Sequence, residues 1–182
     1  MRRIHSRLLS LPSMILAAFF ILSGAAVSAA DDAVEGYRLA TGDRVAISVY
    51  GEDDLSIDTY LSDRGTISYP FLGEVKASGL TIGGLEDLIT RELKGDYLIN
   101  PRVSVRILEY RKFFVNGQVK SPGGYPYQPG MTVRHAVSLA GGFTERASRN
   151  KINVIRDNTS TRAQLNDAVR AGDTITVEES FF

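Results

Sequence analysis

The chain has 182 residues, of which 43% are hydrophobic and 23% are charged, and it contains no cysteine and only two histidines. This composition is typical of a globular protein, and it excludes a disulfide scaffold, a cysteine-ligated metal, a cysteine nucleophile and a lipid-modified N-terminal cysteine. Basic and acidic residues balance at 21 each, so the overall charge gives no indication of nucleic-acid binding.

The first 30 residues have the pattern of a secretory signal peptide. Three arginines are followed by an apolar run at 14–22 and by the small residues Ser28, Ala29 and Ala30, which form a cleavage site. The apolar run is shorter than the ~20 residues of a membrane-spanning helix, although an uncleaved N-terminal anchor is the alternative. Cleavage removes the three arginines and leaves 18 basic against 21 acidic residues, a net charge of −3. The pattern predicts a mature protein in the periplasm.

Short strands and turns alternate in the first part of the mature chain. Val45, Ile47 and Val49 alternate with less apolar residues, and this period of two predicts a half-buried strand. A second alternating pair, Ile67 and Tyr69, predicts another short strand.

Three consecutive acidic residues, Glu52, Asp53 and Asp54, follow the first predicted strand. A calcium site is one interpretation of such a loop. The alternating Asp or Asn ligands and the central glycine of a calcium-binding loop are missing, however, so a solvated loop is the favoured interpretation.

A helix is predicted after Thr81, a residue type that caps helix N-termini. The apolar residues that follow recur at helical spacing and predict one face that packs against a sheet. The residues of this face are Ile82, Leu85, Leu88, Ile89 and Leu93. Gly95 predicts the end of the helix, and a further alternating strand is predicted over 103–107.

The pattern of the chain changes near residue 110. Residues 113–115 begin a new strand, and the Asn-Gly pair at 116–117 is typical of a tight hairpin turn. The segment 121–130 contains three prolines and three glycines, which fits either a proline-rich linker or a turn, a strand and another turn. Tyr125 and Tyr127 favour the second interpretation, because a spacing of two places them on one face of a strand.

A second helix is predicted from Thr132 to the glycine pair at 141–142, which ends it. The apolar residues of its predicted buried face are Val133, Ala136, Val137 and Ala140. His135 lies off that face, so we expect an exposed side chain rather than a functional one. Two more strands are predicted, at 152–155 and around 175–177.

The Gly-Asp pairs at 42–43 and 172–173 each precede an alternating strand. We interpret this internal similarity as shared turn chemistry. A solenoid repeat is not indicated, because the two copies are too far apart in the chain.

The sequence predicts no catalytic residue, no cofactor and no metal ligand. His135 is the single histidine left after cleavage, and neither a neighbouring Asp nor a Gly-x-Ser-x-Gly motif accompanies it. The basic residues Arg102, Arg106, Arg111 and Lys112 are the nearest approach to an anion-binding groove, but a solvated sheet face is the favoured interpretation. The residues that would bind a substrate remain unknown at this point.

Two runs of motifs cover nearly all of the mature chain. The first is Tyr37-x-Leu39-x-x-Gly42-Asp43, Asp63-x-Gly65-x-Ile67-x-x-Pro70-x-Leu72-Gly73 and Asn100-Pro101-x-Val103-x-Val105. The second is Val115-x-Gly117-x-Val119-x-x-Pro122-Gly123 and Gly130-Met131-Thr132-Val133-x-x-Ala136-Val137-x-x-Ala140-Gly141-Gly142. In this order, behind a signal peptide, the runs resemble the bacterial outer-membrane polysaccharide export family: a polysaccharide export domain followed by a soluble-ligand-binding β-grasp (SLBB) domain.

The resemblance implies an α+β chain with a signal peptide at 1–30, an export-domain α/β sheet module at 31–109 and a β-grasp-like module at 110–182. It also implies a ring-shaped homo-oligomer around a water-filled passage for exopolysaccharide or capsule. Such a ring works without catalysis. The implied partners are the polysaccharide chain and an inner-membrane polysaccharide co-polymerase, and no nucleic acid.

Two departures from the family pattern shape the expectations. Relatives often carry a cysteine for lipid attachment, and this chain has none. They also carry further β-grasp modules and a C-terminal amphipathic helix that crosses the outer membrane. We therefore expect a protein that is not lipidated and that joins the outer-membrane export complex through a separate outer-membrane β-barrel.

Two functional classes remain open. The first is the export conduit described above. The alternative is a free-standing periplasmic β-grasp module that binds a glycan or a nucleic acid. A stable high-order oligomer favours the conduit, and a monomer favours the binding module. An enzyme that acts on glycans is a third class, but the acid/base residues it needs are not indicated.

Overall fold

The computed structural model describes residues 36–180, so the predicted signal peptide lies outside the described residues. Two separate hydrophobic cores divide this range near residue 110. We name residues 36–109 the first module and residues 110–180 the second module. Each contains one α-helix and several mainly antiparallel strands, which confirms the predicted α+β class with two tandem units.

The first module is built around a three-stranded antiparallel sheet and a separate hairpin. Its strands are β1 (Arg44–Val49), β2 (Ile57–Tyr60), β3 (Thr66–Tyr69), β4 (Gly73–Lys76) and β5 (Val103–Glu109), with a one-turn 3-10 helix at Asp53–Leu55. β1 lies between β2 and β5, and β3 pairs with β4. β1 takes the central place because Val45, Ile47 and Val49 are all buried, and burial of apolar area is the main favourable term in folding.

Helix α1 (Ile82–Leu93) covers this sheet. It begins as predicted, because the Thr81 hydroxyl accepts a hydrogen bond from the Gly84 N–H at 3.1 Å. Leu85, Ile89 and Leu93 are fully buried. Leu88 was expected on the same face, but it is only partly buried and packs at the edge of the core, since a step of three residues rotates it away from the line through 85, 89 and 93.

The second module is a five-stranded sheet with one helix. Its strands, in the order β7–β6–β10–β8–β9, are β6 (Phe113–Gly117), β7 (Gly123–Tyr125), β8 (Ala147–Arg156), β9 (Thr159–Ala163) and β10 (Thr174–Glu179). β10 pairs in parallel with β6, and the other pairs are antiparallel. The inward residues of β6, β8 and β10 form one core with the helix, so the helix covers one face of the sheet.

Helix α2 (Val133–Leu139) begins after Thr132, as predicted. Val133, Ala136, Val137 and Ala140 are buried, which confirms the predicted apolar face. Tyr125 and Tyr127 both pack against the same core, which supports the strand interpretation of this segment over a free linker.

One expectation for the second module was wrong, and one strand was not predicted. The Asn-Gly pair at 116–117 is not the hairpin turn, because Gly117 is the last residue of β6 and lies opposite Val177 in the sheet. Gly117 has φ +81°, and a Cβ atom there would lie 2.1 Å from the Val177 carbonyl oxygen, so the glycine serves a close backbone approach. β9 was not predicted, because four of its five residues are exposed and it has no apolar alternation.

Candidate functional site

The acidic loop and the histidine considered in the sequence are both exposed. Glu52, Asp53 and Asp54 lie at the surface around the 3-10 helix. Among residues 36–180, no group of three or more His, Asp or Glu side chains is arranged to hold a metal ion. His135 accepts a hydrogen bond at Nδ1 from the Thr132 N–H at 3.3 Å. This contact is a helix-capping interaction and gives His135 a structural role.

The four basic residues considered as an anion groove do not act as one cluster. The Arg102 guanidinium lies over the Tyr50 ring, 4.3 Å from its centroid. Arg106 and Lys112 are exposed. Arg111 turns in another direction and pairs with Asp43, with a distance of 3.4 Å between Nη1 and Oδ2. Arg111 and Arg102 therefore do not belong to one basic cluster, and Arg111 makes a different set of contacts.

Arg111 lies at the start of the second module and binds the first Gly-Asp turn, at 42–43, in the first module. Asp43 is fully buried, and its Oδ1 accepts a hydrogen bond from the Arg111 backbone N–H at 2.8 Å. The Arg111 guanidinium also donates to the Tyr37 hydroxyl at 2.9 Å, and that hydroxyl donates to Asp43 at 2.8 Å. A buried carboxylate surrounded by such donors is satisfied, and here the donors come from both modules.

Three tyrosines continue this contact between the modules. The Tyr110 ring lies edge-on to Tyr37, with centroids 4.9 Å apart, and edge-on to Tyr127 at 5.4 Å. Such T-shaped pairs are a favoured aromatic geometry. Burial raises the pKa of all three phenols above their ordinary value, and for Tyr37 the hydrogen bond to the Asp43 carboxylate raises the pKa further. We name this contact between the modules, formed by Tyr37, Asp43, Tyr110, Arg111 and Tyr127, the junction. Its three tyrosines are therefore favoured in the protonated form.

The second Gly-Asp turn lies next to the same arginine. Asp173 is buried and binds Arg156 through two hydrogen bonds of 2.8 and 2.7 Å, which raise the pKa of the Arg156 guanidinium. A Cβ atom on Gly172 would lie 2.8 Å from the Arg111 Nε. Arg111 therefore passes between the two turns and contacts both modules.

A second candidate site lies at one end of the first module. Four large apolar side chains are exposed there: Tyr50 by 75%, Phe71 by 71%, Tyr97 by 46% and Ile99 by 92%. A hollow of about 390 Å³ is lined by Tyr50, Tyr97 and Ile99, and a second one of about 570 Å³ is also lined by Tyr50. We name these two hollows and their walls the Tyr50 cleft.

Polar groups alternate with the aromatic rings along the Tyr50 cleft. The larger hollow is lined by Asp53, Arg102 and three serines, Ser48, Ser56 and Ser104. The smaller one has Glu52 and Asn100 beside its apolar wall. The cleft therefore offers aromatic faces together with hydrogen-bond donors and acceptors, the combination that ligand sites use for affinity and orientation.

The two modules carry opposite charge. Residues 36–109 contain 12 acidic and 8 basic residues, and residues 110–180 contain 6 acidic and 10 basic residues. The first module therefore has a net charge of −4 and the second a net charge of +4. Opposite fields of this kind steer association and fix its orientation.

The Tyr50 cleft was missed in the sequence because its exposed aromatic residues, Tyr50 and Tyr97, lie outside the helices and strands. A weak signal existed: Tyr50 precedes a glycine, Phe71 follows a proline, and Ile99 precedes an Asn-Pro pair. Such positions indicate exposed apolar groups, which often mark binding surfaces.

Family comparisons agree with this two-module architecture. The family described as "Polysaccharide biosynthesis/export protein" matches residues 31–108, and the SLBB domain matches residues 112–167. A polysaccharide export domain followed by an SLBB domain defines the class of this protein. The chain belongs to the polysaccharide export family that carries these two domains.

Several proteins named for polysaccharide production, export or transport are similar to this chain. The exopolysaccharide production protein ExoF of Rhizobium meliloti is 31% identical over 157 residues, covering 77% of this chain and 36% of ExoF. The EPS I polysaccharide export outer membrane protein EpsA of Ralstonia solanacearum is 30% identical over 147 residues, covering 66% of this chain and 39% of EpsA. The polysialic acid transport protein KpsD of Escherichia coli is 30% identical over 125 residues, covering 67% of this chain and 22% of KpsD.

The chain thus spans well under half the length of these three relatives. Among residues 36–180, no helix is both long and apolar enough to cross a membrane.

Proposed function

We propose that this protein is a periplasmic component of an exopolysaccharide or capsule export machine. In this proposal its copies form a ring, and the ring guides the polymer toward the outer membrane without chemical change. The observation that carries the proposal is the pair of family domains in the order found in polysaccharide export proteins. ExoF, EpsA and KpsD are named for production, export or transport of such polymers.

The junction between the modules supports a ring subunit. A closed ring requires that each subunit present its two contact surfaces at a constant angle. Arg111 binds Asp43 and Tyr37 in the first module and lies against Gly172 in the second. This contact resists rotation of one module on the other, so the angle between the modules is held within each subunit.

The charge difference between the modules supports a head-to-tail contact in the proposed ring. The negative first module of one copy attracts the positive second module of the next, and repetition of that contact by rotation closes a cycle. In this proposal the ring also binds an inner-membrane polysaccharide co-polymerase and a separate outer-membrane protein. The mature protein begins after residue 30 and carries no lipid.

Gene deletion followed by complementation tests the proposed function. Deletion is expected to abolish polysaccharide in the culture medium and on the cell surface, while the sugar polymerisation enzymes remain active in membrane extracts. His135→Ala at normal abundance is expected to restore export, since His135 only caps a helix. Unchanged surface polysaccharide after deletion would contradict the proposal, and loss of export in the His135→Ala strain would contradict the absence of catalysis.

The free-standing binding module is the second candidate, and the Tyr50 cleft is the observation that favours it. An exposed cleft with aromatic and polar walls could serve a monomeric glycan-binding protein as well as a conduit. Mass photometry of the mature protein, alone and with membranes that contain the co-polymerase, separates the two. A ring-sized oligomer in either sample supports the conduit, and a monomer in both supports the binding module.

A further inference from the structure

We propose that the Tyr50 cleft is a sugar-binding site that contacts individual pyranose rings of the exported polysaccharide. This inference rests on the proposed export function, since it names the place where the moving polymer contacts this chain. A pyranose ring has two apolar faces of C–H groups and an edge of hydroxyl groups. A site for it needs a flat aromatic surface with hydrogen-bonding groups at the edge of that surface.

Tyr50 provides the flat surface. Its side chain is 75% exposed, although burial of an aromatic ring is strongly favourable. The Arg102 guanidinium lies 4.3 Å from the ring centroid and holds the ring from one side through a cation–π contact. A ring that is already fixed loses less conformational entropy when a ligand stacks on it.

Phe71 and Tyr97 form a second aromatic surface, which reaches the cleft through Tyr97. Their ring centroids are 5.6 Å apart, and Tyr97 lines the smaller hollow together with Tyr50. Phe71 has φ +62°, a left-handed conformation that is costly for a bulky residue. The Tyr97 hydroxyl donates a hydrogen bond to the Phe71 carbonyl oxygen at 3.4 Å. Strain that keeps an aromatic residue 71% exposed indicates a functional rather than a packing role.

The polar groups of the cleft can bind the hydroxyls of a sugar that stacks on Tyr50. Asp53 and Arg102 line the larger hollow, and Glu52 and Asn100 line the smaller one. These carboxylate, guanidinium and amide groups are planar and can each bind vicinal hydroxyls through two hydrogen bonds. The hollows of about 570 and 390 Å³ fall in the range of small-molecule sites, and both are lined by Tyr50, so neighbouring units of one sugar chain can occupy them.

The mixture of groups favours a sugar over a second copy of this chain. A stable contact between proteins has an apolar, fully desolvated centre with polar residues at the rim. In the Tyr50 cleft, by contrast, Asp53, Arg102 and Asn100 lie among the aromatic residues. A protein partner would have to bury these groups, whereas a polyhydroxylated ligand can satisfy them.

Binding of the purified polymer to the mature protein tests this inference. The probes are the polysaccharide from the culture supernatant of the producing strain, fragmented to oligosaccharides, and cellohexaose as a neutral reference. Tyr50→Ala is expected to weaken binding of the native oligosaccharides by roughly tenfold or more in calorimetric titration. Tyr50→Phe keeps the aromatic face and is expected to bind like the wild type.

Tyr60→Ala is the matched control. Tyr60 is 54% exposed, and an arginine lies 5.5 Å from its ring centroid, but it lines neither hollow. Its substitution is expected to leave affinity unchanged. Far-UV circular dichroism and thermal melting verify that each variant is folded.

Three binding results would each overturn the inference: no binding of the native oligosaccharides by the wild type, equal affinity of Tyr50→Ala and the wild type, or loss of oligomer size in Tyr50→Ala with unchanged affinity per chain. The last result would assign the cleft to a subunit contact. Normal export in a Tyr50→Ala strain together with loss of export on gene deletion would refute the sugar site and leave the proposed function intact. Normal export after gene deletion would refute the proposed function itself.

Discussion

The Gly-Asp turns at 42–43 and 172–173 have almost the same local structure in the two modules. The glycines have φ +89° and +88°, a conformation that favours glycine. Each aspartate is buried and accepts a hydrogen bond from the backbone N–H three residues before it, at 2.9 Å for Asp43 and 2.7 Å for Asp173. Each turn leads directly into a central strand of its sheet.

The two turns differ in the arginine that completes them. Asp173 pairs with Arg156, which lies on β8 of the same module. Asp43 pairs with Arg111, which follows the first module and begins the second. The same local turn therefore stabilises one module internally and, at its other occurrence, joins two modules. The position of the arginine that pairs with the buried aspartate therefore decides whether the ion pair stabilises one module or couples two.

Removal of the aspartates is expected to have the largest effect. Asp43→Ala leaves the N–H groups of Ala40 and Arg111 without their acceptor and should lower the free energy of unfolding by about 3 kcal/mol. Asp173→Ala should cost a similar amount, since Arg156 loses its ion pair. The measurement is differential scanning calorimetry of the mature protein.

The calorimetric profile distinguishes the two turns. We expect Asp43→Ala to split the transition, because the modules no longer unfold together, with the first module melting at the lower temperature. Asp173→Ala should lower the melting temperature of the second module without this splitting, because Asp173 and Arg156 lie in the same module. A single unbroken transition in Asp43→Ala, with the melting temperature of the wild type, would show that the junction does not couple the modules.

Substitution of the glycines is expected to have a smaller effect that depends on the turn. Gly42→Ala and Gly172→Ala both place a side chain at positive φ, which costs roughly 1–2 kcal/mol. At Gly42 the new Cβ would lie 3.5 Å from the Arg111 Cβ, an ordinary contact, but at Gly172 it would lie 2.8 Å from the Arg111 Nε. We therefore expect Gly172→Ala to cost about 1 kcal/mol more in urea denaturation. Equal costs would indicate that Arg111 does not pack between the turns.

Alkaline pH is expected to weaken the junction gradually. The pKa of Tyr37 is raised by burial and by its hydrogen bond to Asp43, so the folded state retains a proton that the unfolded state releases above pH ~10. The contribution of the Tyr37 hydroxyl to the free energy of unfolding is therefore fully present below pH ~10, and it decreases as the pH rises further.

Tyr37→Phe isolates this contribution. It should cost about 1 kcal/mol at neutral pH through the lost hydrogen bond, and its stability should fall less steeply than that of the wild type between pH 10 and 11, as measured by urea denaturation. Tyr69, whose pKa burial raises to about 12, remains in both proteins and contributes equally to each slope. Parallel slopes for the two proteins would contradict the protonated state assigned to Tyr37.

The periodic elements of both modules could be predicted from the sequence. β1, α1, α2 and β10 have apolar residues at a period of two or at helical spacing, and their ends carry residues that cap or turn the chain. β9 could not be predicted, because an edge strand that is mostly exposed needs no apolar period. Its strand structure comes from pairing with β8.

The junction and the cleft could be predicted only in part. The similarity of the two Gly-Asp turns was visible in the sequence, and the structure supports the interpretation as shared turn chemistry. The role of Arg111 was not visible, because it lies 68 residues from Asp43 along the chain and its neighbours are also basic. The Tyr50 cleft depends on the tertiary arrangement of several loops, which local periodicity does not describe.

The central claim is that the two modules form one rigid subunit of a polysaccharide export conduit. Its most direct test is the amount of extracellular polysaccharide made by a deletion strain that carries either the wild-type gene or the Arg111→Ala variant at equal protein abundance. If the two modules form one rigid subunit, we expect the wild type to restore export. We expect Arg111→Ala to restore only a fraction of it while polymer accumulates in the periplasm. Wild-type export by Arg111→Ala, in a protein whose modules calorimetry shows to unfold separately, would contradict the claim.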